Sequence, residues 1–399
     1  MLAFALVLVL SAAGATPTPA AAPPPAAAPA AAPDATLDFT AEARLLFRVV
    51  ACEGDAPLPK NIDEKVIAEH CKELHKRTEK YKETWINVAE PFLQKLKSPG
   101  LPTTVVYPFG GGDLISALTT WPEAKEITTM SLEHAGDPRR INQIDSKQLK
   151  TSLELIRKTS AGLLTANDSK TENLMKGQRG ELPGQLSFFL IALAVHGYEP
   201  VALRYVRVEP DGSLHGITQK DVDDLAKKDA QLLKSGWTSP DFSEAFSNIE
   251  LKIPKKSDPK DVKIHRHFAA NLDDDHFGKD EGMKKMLESK GRIVAMTKAA
   301  SYLLWRPNFS TIRDYLLAHM EFMFSDSTGV PHSIAVVKGF EQTMYGKFDE
   351  SFLAGNPTYN AEFKKLWVKA EPLPFRYGYL DKKLQMHMMV TKKAAAKKE

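Results

Sequence analysis

Residues 103–138 read TTVVYPFGGGDLISALTTWPEAKEITTMSLEHAGDP, and this stretch decides the fold. The β-branched and aromatic run at 103–107 fits a short buried strand. Gly110, Gly111 and Gly112 follow at once, where the chain must turn tightly and let backbone approach backbone or a ligand. Asp113 is placed to cap the next helix, whose apolar face is Leu114, Ile115, Ala117 and Leu118. Trp121-Pro122 ends that helix, and 126–132 is a second strand. Glu133 then stands at its carboxyl end, about 20 residues past the glycines. In an open parallel sheet a first-turn glycine loop and a second-strand acid lie side by side, where nucleotides bind. Gly110, Gly112, Asp113 and Glu133 are therefore the candidate cofactor-binding residues. The same glycines equally serve a tight turn that holds no ligand. PFGGGD also departs from G-x-G-x-x-G, with Pro108 and Phe109 where a flexible approach is expected.

Upstream, residues 1–15 (MLAFALVLVLSAAGA) form an apolar run of signal-peptide length that closes on the small residues Ala13-Gly14-Ala15. The run is too short for a comfortable transmembrane helix, so the expectation is export to the periplasm, the envelope or the medium. Residues 16–35 are an Ala/Pro-rich spacer with nothing to bury. Residues 36–100 read as a helical appendage. One helix covers 39–51, introduced by Thr40, and a long amphipathic pattern over 62–96 is one helix or two meeting near Glu90-Pro91. Cys52 and Cys71 are the only cysteines. In an exported protein they most simply form one disulfide, the rival reading being a redox or nucleophilic thiol.

Downstream, 149–164 and 184–193 are helical, and Gly197 ends the second of these. Residues 202–209 and 214–217 form a hairpin across Asp211-Gly212. Two further strands at 246–253 and 260–271, a short helix at 283–287, a buried strand at 291–296 and a helix at 309–323 follow. The predicted architecture over 101–385 is α/β: a doubly wound, mostly parallel, Rossmann-like sheet with antiparallel edge additions. Residues 386–399 read as a basic tail. Lys+Arg 53 against Asp+Glu 50 leaves a net charge of +3 with no concentrated basic face, which argues against a nucleic-acid partner.

The best metal candidate is His265 and His267, alternating on one strand, with Asp273 and Asp275 beyond its carboxyl end. The competing reading is a pair of exposed-face histidines beside an acidic loop that caps the helix after Gly278. Glu133 and His134 are a possible acid–base pair, although neighbours on one strand point to opposite faces unless the strand has ended. No G-x-S-x-G elbow is present. Asp326-Ser327-Thr328-Gly329 reads as a turn, and Ser301, Tyr302 and Arg313 read as packing residues.

The chain resembles a group of uncharacterised exported bacterial proteins whose core is similar to the class I methyltransferase (Rossmann-like) fold. The resemblance rests on VVYPFGGGD at 105–113, KAASYL at 298–303, FSTIR at 309–313 and DSTGVP at 326–331, and it spans most of 100–380. It implies fold and export rather than a reaction. Three functions follow as expectations: an exported ligand-binding or non-catalytic protein on a methyltransferase-like scaffold, an S-adenosylmethionine-dependent methyltransferase, or a metal-dependent hydrolase.

Overall fold

A computed structural model describes residues 35–166, 181–235, 243–298, 300–326, 329–347, 357–378 and 387–394 of the 399. The expected leader at 1–15 lies outside the described residues, as does the 16–35 spacer except for its last residue. Among the described residues no helix is long and apolar enough to cross a membrane.

Three helices precede the sheet: α1 (Thr40–Val50), α2 (Glu64–Tyr81) and α3 (Asn87–Leu96). Thr40 is not the cap of α1 but its first residue: Phe39 holds the N-cap position without a side-chain cap, and the Thr40 N–H reaches Asp38 Oδ1 at 3.0 Å. The pattern over 62–96 is one helical run in which α2 and α3 join through a π-helical turn at Lys82–Ile86. Pro91 sits inside α3, and the widened turn lies just upstream of the carbonyls that its ring crowds. Cys52 and Cys71 form a disulfide, which spends both sulfurs and removes the free-thiol reading.

The stretch at 103–138 folds as β1 (Thr104–Pro108), α4 (Leu114–Thr120) and β2 (Glu126–Ser131). Helices α5 (Ser146–Ala166) and α6 (Gly184–His196) follow. Next come β3 (Ala202–Val208), β4 (Leu214–Gly216), α7 (Gln219–Ser235), β5 (Ile249–Lys255) and β6 (Asp258–Ala269). The last third holds α8 (Glu281–Glu288), β7 (Ile293–Thr297), α9 (Ser310–His319) and β8 (Met320–Ser325). It ends with α10 (His332–Val337), β9 (Phe340–Gly346), α11 (Pro357–Trp367) and β10 (His387–Lys393).

All ten described strands share one sheet in the order β4-β3-β5-β6-β2-β1-β7-β8-β10-β9. The central run β6-β2-β1-β7-β8 is parallel throughout. Both flanks are antiparallel; in the β3–β4 and β5–β6 hairpins the short connections leave no room for a crossover helix. The sheet is therefore mixed, and the expectation of a mostly parallel sheet holds only for its centre. From β1 the chain steps outward through β2 to β6, then returns to lay β7 and β8 on the other side of β1. The carboxyl ends of β1 and β7 flank the point where the winding reverses, which in open α/β sheets is where ligands bind.

Alternation along β1 sends Val105 and Tyr107 into one apolar cluster and Val106 into another. The first cluster includes Leu46, Leu74, Trp85 and Leu93 of the N-terminal helical run, so those helices form a layer on the sheet. The second lies under α8 to α11. Two sequence expectations fail here. The helix expected over 309–323 stops at His319, and Met320–Ser325 becomes β8, a short apolar run whose periodicity fits either state. The expected tail at 386–399 contains β10, inserted between β8 and β9; its Lys392 and Lys393 end a strand rather than begin a tail.

The disulfide bridges a sequence separation of 19. In the chain-entropy account such a loop contributes about 3 kcal/mol. Cys52→Ala/Cys71→Ala is expected to lower the free energy of urea unfolding by about that amount, and an unchanged midpoint refutes the assignment.

Candidate functional site

The carboxyl ends of β1, β7 and β8 gather the described residues of the four segments quoted above: 105–113, 298 with 300–303, 309–313, and 326 with 329–331. After β1 the chain turns through Phe109 (φ 61°) and Gly111 (φ 50°), both left-handed. The ring of Tyr107 stands 2.8 Å from where a Cβ on Gly110 would lie, and a Cβ on Gly112 would collide with Gln185 and Phe188. Protein therefore occupies the space these two glycines leave. Asp113 Oδ1 accepts from the Ser116 N–H at 3.4 Å and caps α4 as expected.

The other Asp113 oxygen anchors a buried polar cluster. Lys298, the residue after β7, places Nζ 2.6 Å from Asp113 Oδ2, and the two side chains are 1% and 0% exposed. The same Nζ donates to Ser116 Oγ at 2.6 Å and lies 5.9 Å from the Trp85 ring centre. The Tyr107 hydroxyl donates to Asp113 Oδ2 at 2.9 Å. One strand further out, Ser301 Oγ donates to Asp326 Oδ1 at the end of β8. Tyr377 is buried nearby; burial first, then the charges of Asp113 and Asp326, push its hydroxyl well above the usual phenol range, so it stays protonated. The Phe109 and Phe309 rings meet edge to face at 5.9 Å, and Trp305 Nε1 donates to the Gly329 carbonyl. Lys298 goes unmarked in the sequence, and Ser301 and Asp326, expected as packing and turn residues, instead join this cluster. The available signal was a lysine placed directly after a buried strand, in KAASYL.

On the other side of β1 three segments meet. The Gly110 N–H bonds the Met130 carbonyl at 3.0 Å, and the Leu186 N–H bonds that of Ala135 at 3.1 Å. Gly136 packs directly against Pro183, at the start of α6. Glu133 lies among them and is 2% exposed. Neither of its carboxylate oxygens meets a donor among the described residues, and neither polar atom of the fully buried Gln185 amide finds a partner there. Strand β2 ends at Ser131, so strand alternation does not separate Glu133 from His134, yet the Glu133 carboxylate makes no hydrogen bond to it.

The four candidate metal ligands do not come together. His265 and His267 are both fully buried under the Phe189 ring, with centroids 4.5 and 5.2 Å away, rather than on the surface. Both hydrogen bond to Thr129 Oγ1, at 3.1 and 3.0 Å. Asp273 bonds His276 and Asn271, and the exposed Asp275 pairs with Lys279. Between them, Asp274 accepts from the N–H groups of Ser310 and Thr311, at 3.1 and 2.9 Å, and caps α9. The helix after Gly278, α8, is instead capped by Asp280, which accepts from the Met283 N–H. No group of three or more His, Cys, Asp or Glu side chains suited to a metal exists among the described residues.

No family model matches the chain, and no curated protein matches it. The chemistry of the site therefore rests on its own geometry.

Two outcomes are expected. Lys298→Met leaves Asp113 charged, buried and without its cation, and should cost 3–5 kcal/mol, as is typical of a broken buried pair (order of magnitude, about 4). Asp113→Leu/Lys298→Met should cost less than the two single changes summed, read by urea unfolding; strict additivity overturns the coupling. The second outcome concerns pH. Burial lowers the pKa of His70 and His267 to about 4, and that of His265 well below the usual value. Between their ordinary value near 6.5 and about 4, the unfolded chain binds more protons than the folded one. Stability should therefore fall as pH drops through that window, by up to about 1.4 kcal/mol per pH unit for each histidine. Urea unfolding at pH 7.5 and pH 5 measures this, and equal stabilities contradict it.

Proposed function

We propose that the chain is an exported protein that binds a nucleoside-like small molecule on a methyltransferase-like scaffold without transforming it. Counted in chain order, the five parallel strands run 3-2-1-4-5, the order of doubly wound nucleotide-binding sheets.

One observation carries the reading: Glu133 is buried at the end of β2 with both carboxylate oxygens lacking a donor. Keeping a carboxylate out of water and unpaired costs several kcal/mol, and vicinal ribose hydroxyls arriving beside it would offset that cost. Gln185 adds an amide that can both donate to and accept from a base edge. Asp113 and Lys298, in contrast, satisfy one another, so the charged pair between β1 and β7 is committed to holding the fold. This favours binding over catalysis. Export is supported by the Cys52–Cys71 disulfide and by the apolar leader in the sequence. The strand order also suits an S-adenosylmethionine-dependent methyltransferase, and the same experiment addresses that second reading.

Thermal unfolding with adenosine, S-adenosylmethionine or S-adenosylhomocysteine is the test. A ligand at 100 times its Kd stabilises by about 2.7 kcal/mol. Glu133→Gln should abolish the shift and leave the unliganded protein as stable as before or more so, since it removes an uncompensated buried charge. The absence of a shift with all three ligands, or a destabilised Glu133→Gln protein, rules the proposal out. A shift confined to the two methionine-derived ligands favours the methyltransferase reading.

A further inference from the structure

The two histidines that do not hold a metal have a definite alternative arrangement. In the parallel register of β2 and β6, Thr129 lies opposite His267, and His265 is two residues earlier on the same face. Thr129 Oγ1 is 3.0 Å from His267 Nδ1 and 3.1 Å from His265 Nε2. His267 Nε2 is 2.8 Å from the carbonyl oxygen of Glu133. A carbonyl only accepts, so Nε2 carries the proton and donates. In neutral His267, Nδ1 is then a bare acceptor, and Thr129 must donate to it. The threonine hydroxyl has one proton, so it accepts from His265 rather than donating to it, and His265 therefore carries its proton on Nε2. His265 Nδ1 is left as a lone acceptor and has no partner among the described residues, as this assignment requires. The rival acceptor for the threonine proton, the Arg266 carbonyl, is distant at 3.5 Å.

We propose that His265, Thr129 and His267 form a one-way hydrogen-bond relay that fixes the main chain at Glu133 in the geometry needed to receive the ligand. The three are positioning residues, and the role rests on the binding reading given above. The relay runs beneath the sheet surface at the end of β2. It acts where regular strand pairing has just ended and the segment from 132 onward needs another tether. The Phe189 ring on α6 shields the histidine pair from water, and α6 is also the helix that carries Gln185. One packing unit thereby supports both orphaned polar side chains.

Thr129→Val keeps the shape and removes the hydroxyl, whereas Thr129→Ser keeps the hydroxyl, so the pair separates hydrogen bonding from packing. Long-range 1H–15N spectra of the full chain at pH 7 should show both histidines neutral with the proton on Nε2. Amide exchange of a 131–136 peptide should be at least about tenfold faster in Thr129→Val and close to wild type in Thr129→Ser, a factor of ten being about 1.4 kcal/mol of local opening. A proton on Nδ1 of His267, or equal exchange in the two variants, overturns the relay. The Kd for whichever of the three nucleosides gives a thermal shift should rise about tenfold in Thr129→Val and stay within about twofold in Thr129→Ser; equal affinities overturn the positioning role. A wild type that binds none of them defeats the binding reading and the positioning role with it, while the spectra and exchange still decide whether the relay exists.

Discussion

The ion pair between Asp113 and Lys298 is the constraint on which the centre of the structure depends. It ties the start of α4 to the end of β7 across the point where the sheet reverses its winding. Two charges removed from water are tolerated only when their remaining hydrogen-bonding capacity is filled. Here Ser116 takes another Lys298 proton, Tyr107 donates to the carboxylate, and the Trp85 ring faces the ammonium. Trp85 comes from the helical run that precedes the sheet, and its indole N–H reaches the Arg376 carbonyl at 2.7 Å. Segments from both ends of the chain are thereby recruited to keep one buried pair dry. The helices at 36–100 belong to the architecture of the site.

The carboxylates along this edge differ in how they are compensated, and the difference has functional content. Asp113 has a cation and two hydroxyl-bearing neighbours in its network, and Asp326 has a serine hydroxyl. Glu133, equally buried, has no donor on its carboxylate among the described residues. Structural carboxylates in a folded chain are paired because the alternative is costly. A group left unpaired beside paired ones marks the position where the chain's own stability has been given up for something external. Its surroundings are rigid: its own main-chain carbonyl is held by His267, and the following residues are pinned to 246–247 and to α6. That is the arrangement of a preformed site rather than of a loose loop.

The sequence made the central unit legible because its signals are local. A β-branched run, three glycines, an aspartate cap and a Trp-Pro stop specify β1, α4 and β2 without reference to the rest of the chain, and the two cysteines specify their own bond. The parts that were illegible depend on partners far away in sequence. MEFMF at 320–324 looks like the end of a helix until β7 and β10 are there to pair with it. HMMVTKK at 387–393 looks like a tail until β8 and β9 open a slot for it. His265 and His267 carry the residue types and spacing of metal ligands, and only Phe189 and Thr129, 76 and 136 residues from His265, show them to be interior groups. Lys298 gives no local sign that its partner is 185 residues upstream.

The glycine turn shows why a motif and a site have to be argued separately. Gly110 and Gly112 are required by the fold whatever the ligand, since an aromatic ring and the start of α6 fill the space above them. The turn would therefore look the same in a protein that binds a nucleotide and in one that binds nothing, and the glycines do not discriminate between the two. What discriminates is the accounting of buried polar atoms around the turn. Atoms that packing explains have partners within the chain, as Asp113 does. Among the buried atoms that lack a partner in the described residues, those of Glu133 and Gln185 lie together where the turn, the end of β2 and the start of α6 meet. Those atoms point to a ligand, and the glycines serve to bring them within reach of one another.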